Sequence, residues 1–271
     1  MKKVYDQQIN DILELEHQYG PYSKSEKFHY DTKIHKKEKG LDYNSWPQTW
    51  KTVYTKGYPR LPSVRLTREY SKKAKENLDK VLRNRKSDRA FTKKKLTLCE
   101  LSTLLYYSAG VKTGISIPWD FSRRFYPSGG ARYPLELYIV ILNNAELEEG
   151  VYHYNVRRHS LEKLKTGLFL KSILEGLNMP WLRSASAVMF ITSVFGRNQI
   201  KYGDRGYRLI FAEAGHMAQN IYLMCSALGW GCCALGGYAD DFINELLDVD
   251  GVNESTVYAL ALGTVNKTKN K

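Results

Sequence analysis

Two arginines, a lysine and a serine lie close together in the segment from Arg85 to Phe91, which reads Arg-Lys-Ser-Asp-Arg-Ala-Phe. A guanidinium group binds a phosphate dianion through paired hydrogen bonds, a serine hydroxyl adds another bond, and a lysine adds a point charge. The segment therefore predicts a site for a terminal phosphate, built from Arg85, Lys86, Ser87 and Arg89. The alternative interpretation is the basic end of an ordinary helix, which the Arg-x-Arg spacing alone would favour.

A glycine-containing turn with the sequence Tyr-Pro-Ser-Gly-Gly-Ala-Arg-Tyr-Pro occupies residues 126–134 and leads directly into an apolar run. Tandem glycines let a backbone approach a flat ligand closely. Ser128 and the exposed backbone amides can bond the edge of a heterocycle, and Arg132 can stabilise negative charge. A tight turn into a strand would explain the glycines, but not the serine, the arginine and two Tyr-Pro pairs together.

Lys201 and Tyr202 are adjacent and directly precede a long, mostly apolar segment. If burial lowers the pKa of the lysine, the pair can supply a general base and a proton donor. The alternative is a charged start of the following helix, for which Asp204 would be a suitable N-cap.

Hydrophobic periodicity predicts the elements that must position these groups. Helices are predicted at residues 72–84, 98–108 (with Thr97 as a cap) and 205–228; buried strands at 135–142, 187–195 and 257–265; and a hairpin at 150–154 and 160–164. Helices mixed with strands that are joined by both hairpins and helices predict an α+β sandwich rather than a doubly wound sheet.

The segment 205–228 is apolar around nearly its whole circumference, so it should be buried on all sides. A homodimer interface would cover a face that the rest of one chain leaves open. Glu213 and His216 are polar exceptions that need partners if they are buried. We interpret His216 as a core histidine and expect no metal site, because no inward-facing carboxylate helices complete the Glu-x-x-His half-motif of a di-iron centre.

Residues 1 to about 75 differ from the rest of the chain. An amphipathic helix is predicted near residues 9–16, and a stretch rich in proline and aromatic residues follows between Trp46 and Pro62. This pattern predicts an extended arm laid over a surface. We therefore divide the chain into an N-terminal extension, 1–75, and a main domain, 76–271.

Composition limits the classes of partner. With 43% hydrophobic and 25% charged residues, a wholly disordered chain is excluded. The net charge of +13 could favour nucleic acid, an anionic surface or an acidic or phosphorylated ligand. No nucleic-acid motif accompanies it, so a solvated basic face is the alternative, and we expect no nucleic-acid partner.

The four cysteines contain no Cys-x-x-Cys pair and match neither a zinc site nor a disulfide framework. Three of them lie in apolar surroundings, as buried thiols in a reducing compartment do. The N-terminus lacks the apolar core of a signal peptide, and no apolar run approaches the ~20 residues that span a bilayer. We therefore expect a cytoplasmic protein without a membrane partner.

Taken together and in order, these segments resemble the nitroreductase superfamily, and within it the streptolysin-type thiazole/oxazole dehydrogenases that mature ribosomal peptides. The opening cofactor motif Arg-Arg-Ser-x-Arg-x-Phe is matched at 85–91, with Lys86 replacing the second arginine. The remaining motifs are Pro-Ser-x-Gly-Ala-Arg-Tyr-Pro at 127–134, Lys-Tyr-Gly-x-Arg-Gly-Tyr-Arg at 201–208, Glu-Ala-Gly-His-x-Ala-Gln-Asn at 213–220, and Gly-Gly with an acidic pair at 236–241.

The resemblance implies a nitroreductase-like three-layer sandwich, with an antiparallel-rich sheet flanked by helices and FMN held at a homodimer interface. It implies the following site residues: Arg85, Ser87 and Arg89 at the FMN phosphate, with Lys86 at the substituted position; Ser128, Gly130 and Arg132 near the isoalloxazine; Leu235, Gly236 and Gly237 on its other side; and Lys201 and Tyr202 as the catalytic pair.

The reaction that the resemblance implies is the oxidation of a thiazoline or oxazoline ring in a peptide to the aromatic azole. Lys201 or Tyr202 would remove a ring proton while FMN accepts a hydride, and a cyclodehydratase complex is a further expected partner. An NAD(P)H-dependent nitro or enone reductase on the same fold is the alternative, because one fold hosts several chemistries. A basic, non-catalytic binding protein is a second alternative.

Overall fold

One antiparallel sheet organises the main part of the molecule. Its strands are β1 (Ser63–Arg65), β2 (Leu135–Ile141), β3 (Gly150–Asn155), β4 (Ser160–Thr166), β5 (Ala187–Val194), β6 (Trp230–Leu235) and β7 (Glu254–Thr264). They lie in the order β1-β4-β3-β2-β5-β7-β6, and every neighbouring pair is antiparallel.

The computed structural model describes residues 24–33, 43–52, 54–92, 94–112 and 123–266. The chain divides into two compact units, residues 1–46 and 47–271. The first unit contains helix α1 (Lys24–Asp31), at the end of which the Thr32 hydroxyl donates to the Phe28 carbonyl over 2.6 Å. The helix predicted near residues 9–16 lies outside the described residues.

The helices of the second unit are α2 (Gln48–Lys51), α3 (Leu78–Asn84), α4 (Leu98–Ala109), α5 (Leu170–Leu177), α6 (Gly196–Tyr202), α7 (Arg205–Leu228) and α8 (Asp240–Leu247). Short 3-10 turns occupy Lys72–Lys75, Gly129–Ala131 and Pro180–Ser184. Among the helices of these described ranges, none is long and apolar enough to cross a membrane.

The alternation of side chains along β2 divides the core into two. Leu137 and Ile139 belong to the cluster that contains the buried residues of α4 and α7. Tyr138 and Val140 belong to the cluster that contains those of α5 and α8. Because β2 is buried on both faces, its sequence is an apolar run interrupted only by Glu136, rather than an alternating pattern. The resulting helix–sheet–helix arrangement confirms the predicted three-layer α+β sandwich.

One local prediction about helix ends is confirmed, and two need correction. Thr97 caps α4 by accepting the Glu100 amide at 3.2 Å, as expected. The single helix predicted over 72–84 is instead a 3-10 turn and a separate α3, because Glu76 and Asn77 have extended backbone conformations. Asp204 does precede α7, but its backbone is already helical and its side chain makes no capping bond.

Within one chain α7 is buried on one side only. Ile210 and Met217 face the core, whereas Phe211, Gly215 and His216 are exposed. A single chain therefore leaves one face of α7 open, and burial of the whole helix by a homodimer interface stays a prediction. The interpretation of His216 as a core histidine is wrong within this chain, where its side chain is exposed. An exposed face of this kind on an otherwise apolar helix leaves a surface that a second protein could cover.

Candidate active site

Lys201 and Tyr202 lie at the end of α6, directly against Gly130 of the loop that precedes β2. Gly130 has a positive φ of 58°, and a Cβ built on it would lie 2.5 Å from Tyr202 Oη and 2.8 Å from Lys201 Nζ. The ammonium nitrogen is 5.2 Å from the centre of the Tyr202 ring. Glycine is thus required at position 130 by both its conformation and the space that the two functional groups occupy.

Arg132 is buried beside this pair and is held by two backbone carbonyls. Its Nε donates to the Arg197 carbonyl at 2.7 Å, and its Nη1 donates to the Thr52 carbonyl at 3.0 Å. Burial lowers the pKa of Lys201, and the positive charge of Arg132 lowers it further. Burial raises the pKa of Tyr202. The pair therefore combines an amine that loses its proton more readily with a hydroxyl that keeps its own.

Glu213 of α7 lies under the same loop and is only 2% exposed. Burial raises the pKa of its carboxyl to about 7, while the Ser128 hydroxyl, the Arg124 charge and the Gly129 amide act in the opposite direction. Neither carboxylate oxygen has a well-formed hydrogen bond from a described residue. The Ser128 hydroxyl accepts a hydrogen bond from the Tyr133 amide at 2.8 Å. This side chain, which was predicted to contact a ligand, therefore already has a partner inside the loop.

Replacing Glu213 with glutamine is expected to stabilise the protein at about pH 8 more than at about pH 5. In the folded protein the pKa of the Glu213 carboxyl is about 7, above its ordinary value of 4.5. The contribution of this carboxyl to the stability of the wild type is therefore fully present below pH 4.5. It is lost as the pH rises through about 7, where the buried carboxyl must ionise. The upper limit of this loss is roughly 3 kcal/mol, or several degrees in Tm. Thermal unfolding across this pH range measures it, with exposed Glu175→Gln as the control for loss of a charge. A Tm difference between Glu213→Gln and the wild type that does not grow with pH would contradict the assignment.

The predicted phosphate segment lies along the edge of β6 and is tied there by Tyr222 of α7. Ser87 Oγ is 3.0 Å from Tyr222 Oη, which also accepts the Ala234 amide at 2.7 Å. The guanidinium carbon of Arg85 lies 5.5 Å from the centre of the Tyr222 ring. The structure thus brings Arg85 and Ser87 to the end of β6, immediately before Leu235.

The two remaining basic residues of this segment have local partners. Lys86 Nζ is 3.2 Å from the Asp88 carboxylate. Arg89 lies near Cys233. Burial raises the pKa of the Cys233 thiol, and the positive charge of Arg89 acts in the opposite direction. Arg85 is half-buried, whereas Lys86, Ser87 and Arg89 are exposed and accessible to a ligand.

Gly236 and Gly237 follow β6 and are exposed. A Cβ built on either would meet nothing within 4 Å, and neither has a positive φ. Neither backbone conformation nor packing within this chain therefore explains the glycines, whereas space kept open for a flat ligand would. Leu235 is only 1% exposed and belongs to the core, so its backbone, not its side chain, could face such a ligand.

The glycine loop beside Lys201 and Tyr202 and the predicted phosphate segment contact α7 at positions thirteen residues apart. A Cβ on Gly129 would meet Leu209 at 3.4 Å, while Ser87 contacts Tyr222. At a rise of about 1.5 Å per residue, these contacts are ~20 Å apart along the helix axis. Within one chain, therefore, two groups lie beside distant points of α7. One is the phosphate segment with Arg85, Ser87 and Arg89, and the other is formed by Lys201, Tyr202 and Arg132.

Other candidate chemistry is limited in the part of the chain that the structure describes. No group of three or more His, Cys, Asp or Glu side chains there is arranged to hold a metal ion. Cys225, Cys232 and Cys233 are buried free thiols, as three of the four cysteines were expected to be, and Cys99 is exposed.

Comparison with known proteins decides the family. Residues 82–264, well over half of the chain, match the sequence profile of the Nitroreductase family. The chain belongs to the nitroreductase family. The matched range includes the segment 85–89, the glycine loop, Lys201 and Tyr202, and the glycines after β6, so every candidate site residue lies inside the family domain.

Three curated proteins are similar in sequence to this chain. The chain is 36% identical over 173 residues to MJ1384 of Methanocaldococcus jannaschii, which is named a nitroreductase, covering 64% of this chain and 84% of that protein. It is 31% identical over 175 residues to the trifolitoxin-processing protein TfxB of Rhizobium leguminosarum bv. trifolii, covering 62% and 47%. It is 30% identical over 153 residues to the microcin B17-processing protein McbC of Escherichia coli, covering 54% and 56%. The matches thus span about half the length of the two peptide-processing relatives.

Solved structures agree on the fold. A structure from Anabaena variabilis named a nitroreductase is 26% identical with a TM-score of 0.70, over 89% of this chain and 47% of the other. A chain of the E. coli microcin synthetase McbBCD complex with truncated pro-MccB17 bound has a TM-score of 0.58 at 22% identity, over 90% of this chain and 92% of the other. The nitroreductase-like fold predicted from the sequence is confirmed.

Proposed function

We propose that this chain is an FMN-dependent dehydrogenase that oxidises thiazoline or oxazoline rings in a ribosomally made peptide to thiazoles or oxazoles. The observation that carries the proposal is the meeting of the Lys201 amine and the Tyr202 hydroxyl over Gly130, beside buried Arg132. Similarity to two peptide-processing proteins supports the choice of a peptide substrate.

The residues present fit FMN. Arg85, Ser87 and Arg89 offer guanidinium and hydroxyl groups for a phosphate. The open space at Gly236 and Gly237 suits a flat ring system that approaches the backbone closely. When bound, FMN supplies the electron acceptor for the ring oxidation, which no amino-acid side chain can provide.

The chain's own residues would bind the azoline and move its proton. Lys201, in the neutral form that its lowered pKa makes accessible, accepts the proton from the ring carbon. Tyr202 stays protonated and donates a hydrogen bond to the ring. Arg132 stabilises the negative charge that develops as the proton leaves.

We infer that a second copy of the chain completes the site. The two groups contact α7 at points ~20 Å apart along the helix axis, so a site that used both groups of one chain would have to span that distance. The exposed face of α7 contains Gly215, whose absent Cβ has nothing within 4 Å and which costs a helix ~1 kcal/mol relative to alanine. Close approach of a partner's helix would explain this glycine. In such a homodimer, residues 85–89 of one protomer would complete a site with Lys201 and Tyr202 of the other.

The proposal includes further partners. The azoline must first be made from Cys, Ser or Thr, so a cyclodehydratase has to supply it. The fold shared with a chain of a peptide-bound synthetase complex supports such an assembly. Buried Cys225, Cys232 and Cys233 suit the reducing cytoplasm, where we place the protein.

An NAD(P)H-dependent nitroreductase is the second candidate, favoured by the similarity to MJ1384 over most of that protein's length. The two functions differ in their electron donor. Rapid bleaching of the bound flavin by NADPH, with turnover of a nitroaromatic acceptor, would favour the reductase. Flavin reduction by an azoline peptide in the absence of NADPH would favour the dehydrogenase.

The cofactor assignment is tested by the absorption spectrum of the purified protein and the mass of the released cofactor. We expect a flavin spectrum, the mass of FMN, and loss of that spectrum in the double variant Arg85→Ala/Ser87→Ala. A matched Arg157→Ala variant changes an exposed arginine of the β3–β4 turn and should retain the flavin. A colourless protein that does not take up added FMN would contradict the proposal.

A further inference from the structure

Glu136, the second residue of β2, is a buried carboxylate that holds two segments of the candidate active site. Its Oε1 accepts a hydrogen bond from Arg197 Nη1 at 2.6 Å and another from the Lys56 backbone amide at 3.1 Å. Its Oε2 lies 3.1 Å from His153 Nε2. The side chain of Glu136 is only 2% exposed, so these partners replace its hydration.

Both segments that Glu136 holds also hold Arg132. Arg197 is the second residue of α6, the seven-residue helix that ends with Lys201 and Tyr202, and its carbonyl accepts Arg132 Nε. The Thr52 carbonyl accepts a hydrogen bond from Arg132 Nη1, and Lys56 follows Thr52 by four residues. A single carboxylate oxygen therefore binds both of the segments whose carbonyls bind the Arg132 guanidinium.

The charges in this network keep Glu136 ionised. Burial alone would raise its pKa, but Arg197, His153 and Arg124 lower it well below the usual range. His153 is buried between Glu136 and Glu162, with its ring nitrogens 3.1 Å and 2.9 Å from their carboxylates. Burial opposes the charged imidazolium, yet the two carboxylates raise the pKa of His153. Each buried charge of this network therefore lies beside an opposite charge, which offsets the cost of removing it from water.

We infer that Glu136 is a positioning residue: through Arg197 and Lys56 it holds Arg132 and α6 so that Lys201 and Tyr202 meet over Gly130. The alternative is a network that only stabilises the sheet. Positioning within ångströms matters for proton transfer, because a displacement of about 1 Å can reduce the rate on the order of a hundredfold.

The two interpretations predict different behaviour of Lys201. The charge that acts on Lys201 is Arg132 of the glycine loop. Arg132 in turn interacts with Tyr202 and Arg197 of α6 and with Tyr54, and Glu213 of α7 lies under the same loop. If Glu136→Gln releases Arg132, Lys201 loses a positive charge that lowers its pKa, and the pKa rises. If the substitution only deletes a negative charge, the surroundings become more positive and the pKa of Lys201 falls.

The experiment is competitive acetylation of Lys201 with acetic anhydride as a function of pH, followed by mass spectrometry of the peptide that contains it. Glu254→Gln is the matched control: Glu254 is also buried and bonds Lys56 Nζ at 2.6 Å, Tyr138 at 3.0 Å and Thr192 at 2.6 Å. Both variants should lose stability. Only Glu136→Gln should move the reactivity curve of Lys201 to higher pH. An unmoved curve, or one moved to lower pH, overturns the inference.

The activity readout rests on the proposed function, whereas the labelling readout does not, so the two can fail separately. For azoline oxidation we expect Glu136→Gln to lower kcat on the order of tenfold to a hundredfold, with KM and FMN content retained. Wild-type protein that oxidises no azoline would count against the proposed function alone. If Glu136→Gln does not fold, Arg197→Lys keeps the positive charge while shortening the side chain that reaches Glu136 from the more exposed end of the ion pair, and an unchanged Lys201 reactivity there overturns the inference.

Discussion

Lys201→Ala protein is expected to bind FMN as the wild type does and to form azoles more slowly by a factor on the order of 10²–10⁴, the usual contribution of a general base. The Lys201 amine lies against Gly130 and is not one of the residues proposed to bind the FMN phosphate, which are Arg85, Ser87 and Arg89. Removing the amine should therefore leave cofactor binding intact while abolishing the group that accepts the ring proton.

This expectation is checked by measuring the mass of the product peptide and the flavin content of the same samples. Lys171→Ala, a change at an exposed lysine of α5, is the matched control and should keep both. Tyr202→Phe removes the hydroxyl beside the amine and should slow the reaction without altering the flavin spectrum. Azole formation by Lys201→Ala at the wild-type rate would contradict the assignment of the base.

Mixing two inactive variants is expected to restore activity, because the proposed site takes residues from both protomers. Lys201→Ala keeps the phosphate segment, and Arg85→Ala/Ser87→Ala keeps the Lys-Tyr pair. In a two-fold symmetric dimer, a hybrid of the two contains one intact composite site and one doubly damaged site. Random exchange of subunits should therefore recover about a quarter of the wild-type activity.

The control for this experiment mixes Lys201→Ala with Tyr202→Ala, whose changes fall in the same half of the site. Their hybrids contain no intact site and should stay inactive. Native mass spectrometry verifies that hybrids form in both mixtures. If verified hybrids of the first mixture show no recovery, the site lies within one chain and the composite arrangement is wrong.

The long elements could be predicted from the sequence because their signals are strong and local. The helix predicted at 205–228 coincides with α7, since a long, mostly apolar segment of 24 residues ends at Gly229 in a left-handed conformation. Strand β2 is an apolar run apart from Glu136, and its predicted end differs by one residue. The eight-residue helices α5 and α8 were missed because so short a pattern does not distinguish helix from loop. Strand β6 was missed because Gly231 and Ala234 have low strand propensity.

The candidate site was predictable where its residues are adjacent in sequence and not where they meet through the fold. Lys201, Tyr202 and Gly130 follow from short motifs, and the structure brings them together. Tyr222 lies 135 residues from Ser87, which it contacts, and a tyrosine within an apolar helix gives no separate signal. The role of Glu136 depends on Lys56 and Arg197, 80 and 61 residues away. Only a buried glutamate inside an apolar strand could have drawn attention to it.

The central claim is tested most directly by incubating the purified protein, loaded with FMN and free of NADPH, with a peptide that contains a single azoline ring in the presence of dioxygen. The dehydrogenase predicts loss of two hydrogen atoms from the peptide and the absorbance of an aromatic azole. An unchanged peptide mass, together with turnover of a nitroaromatic compound once NADPH is added, would contradict it.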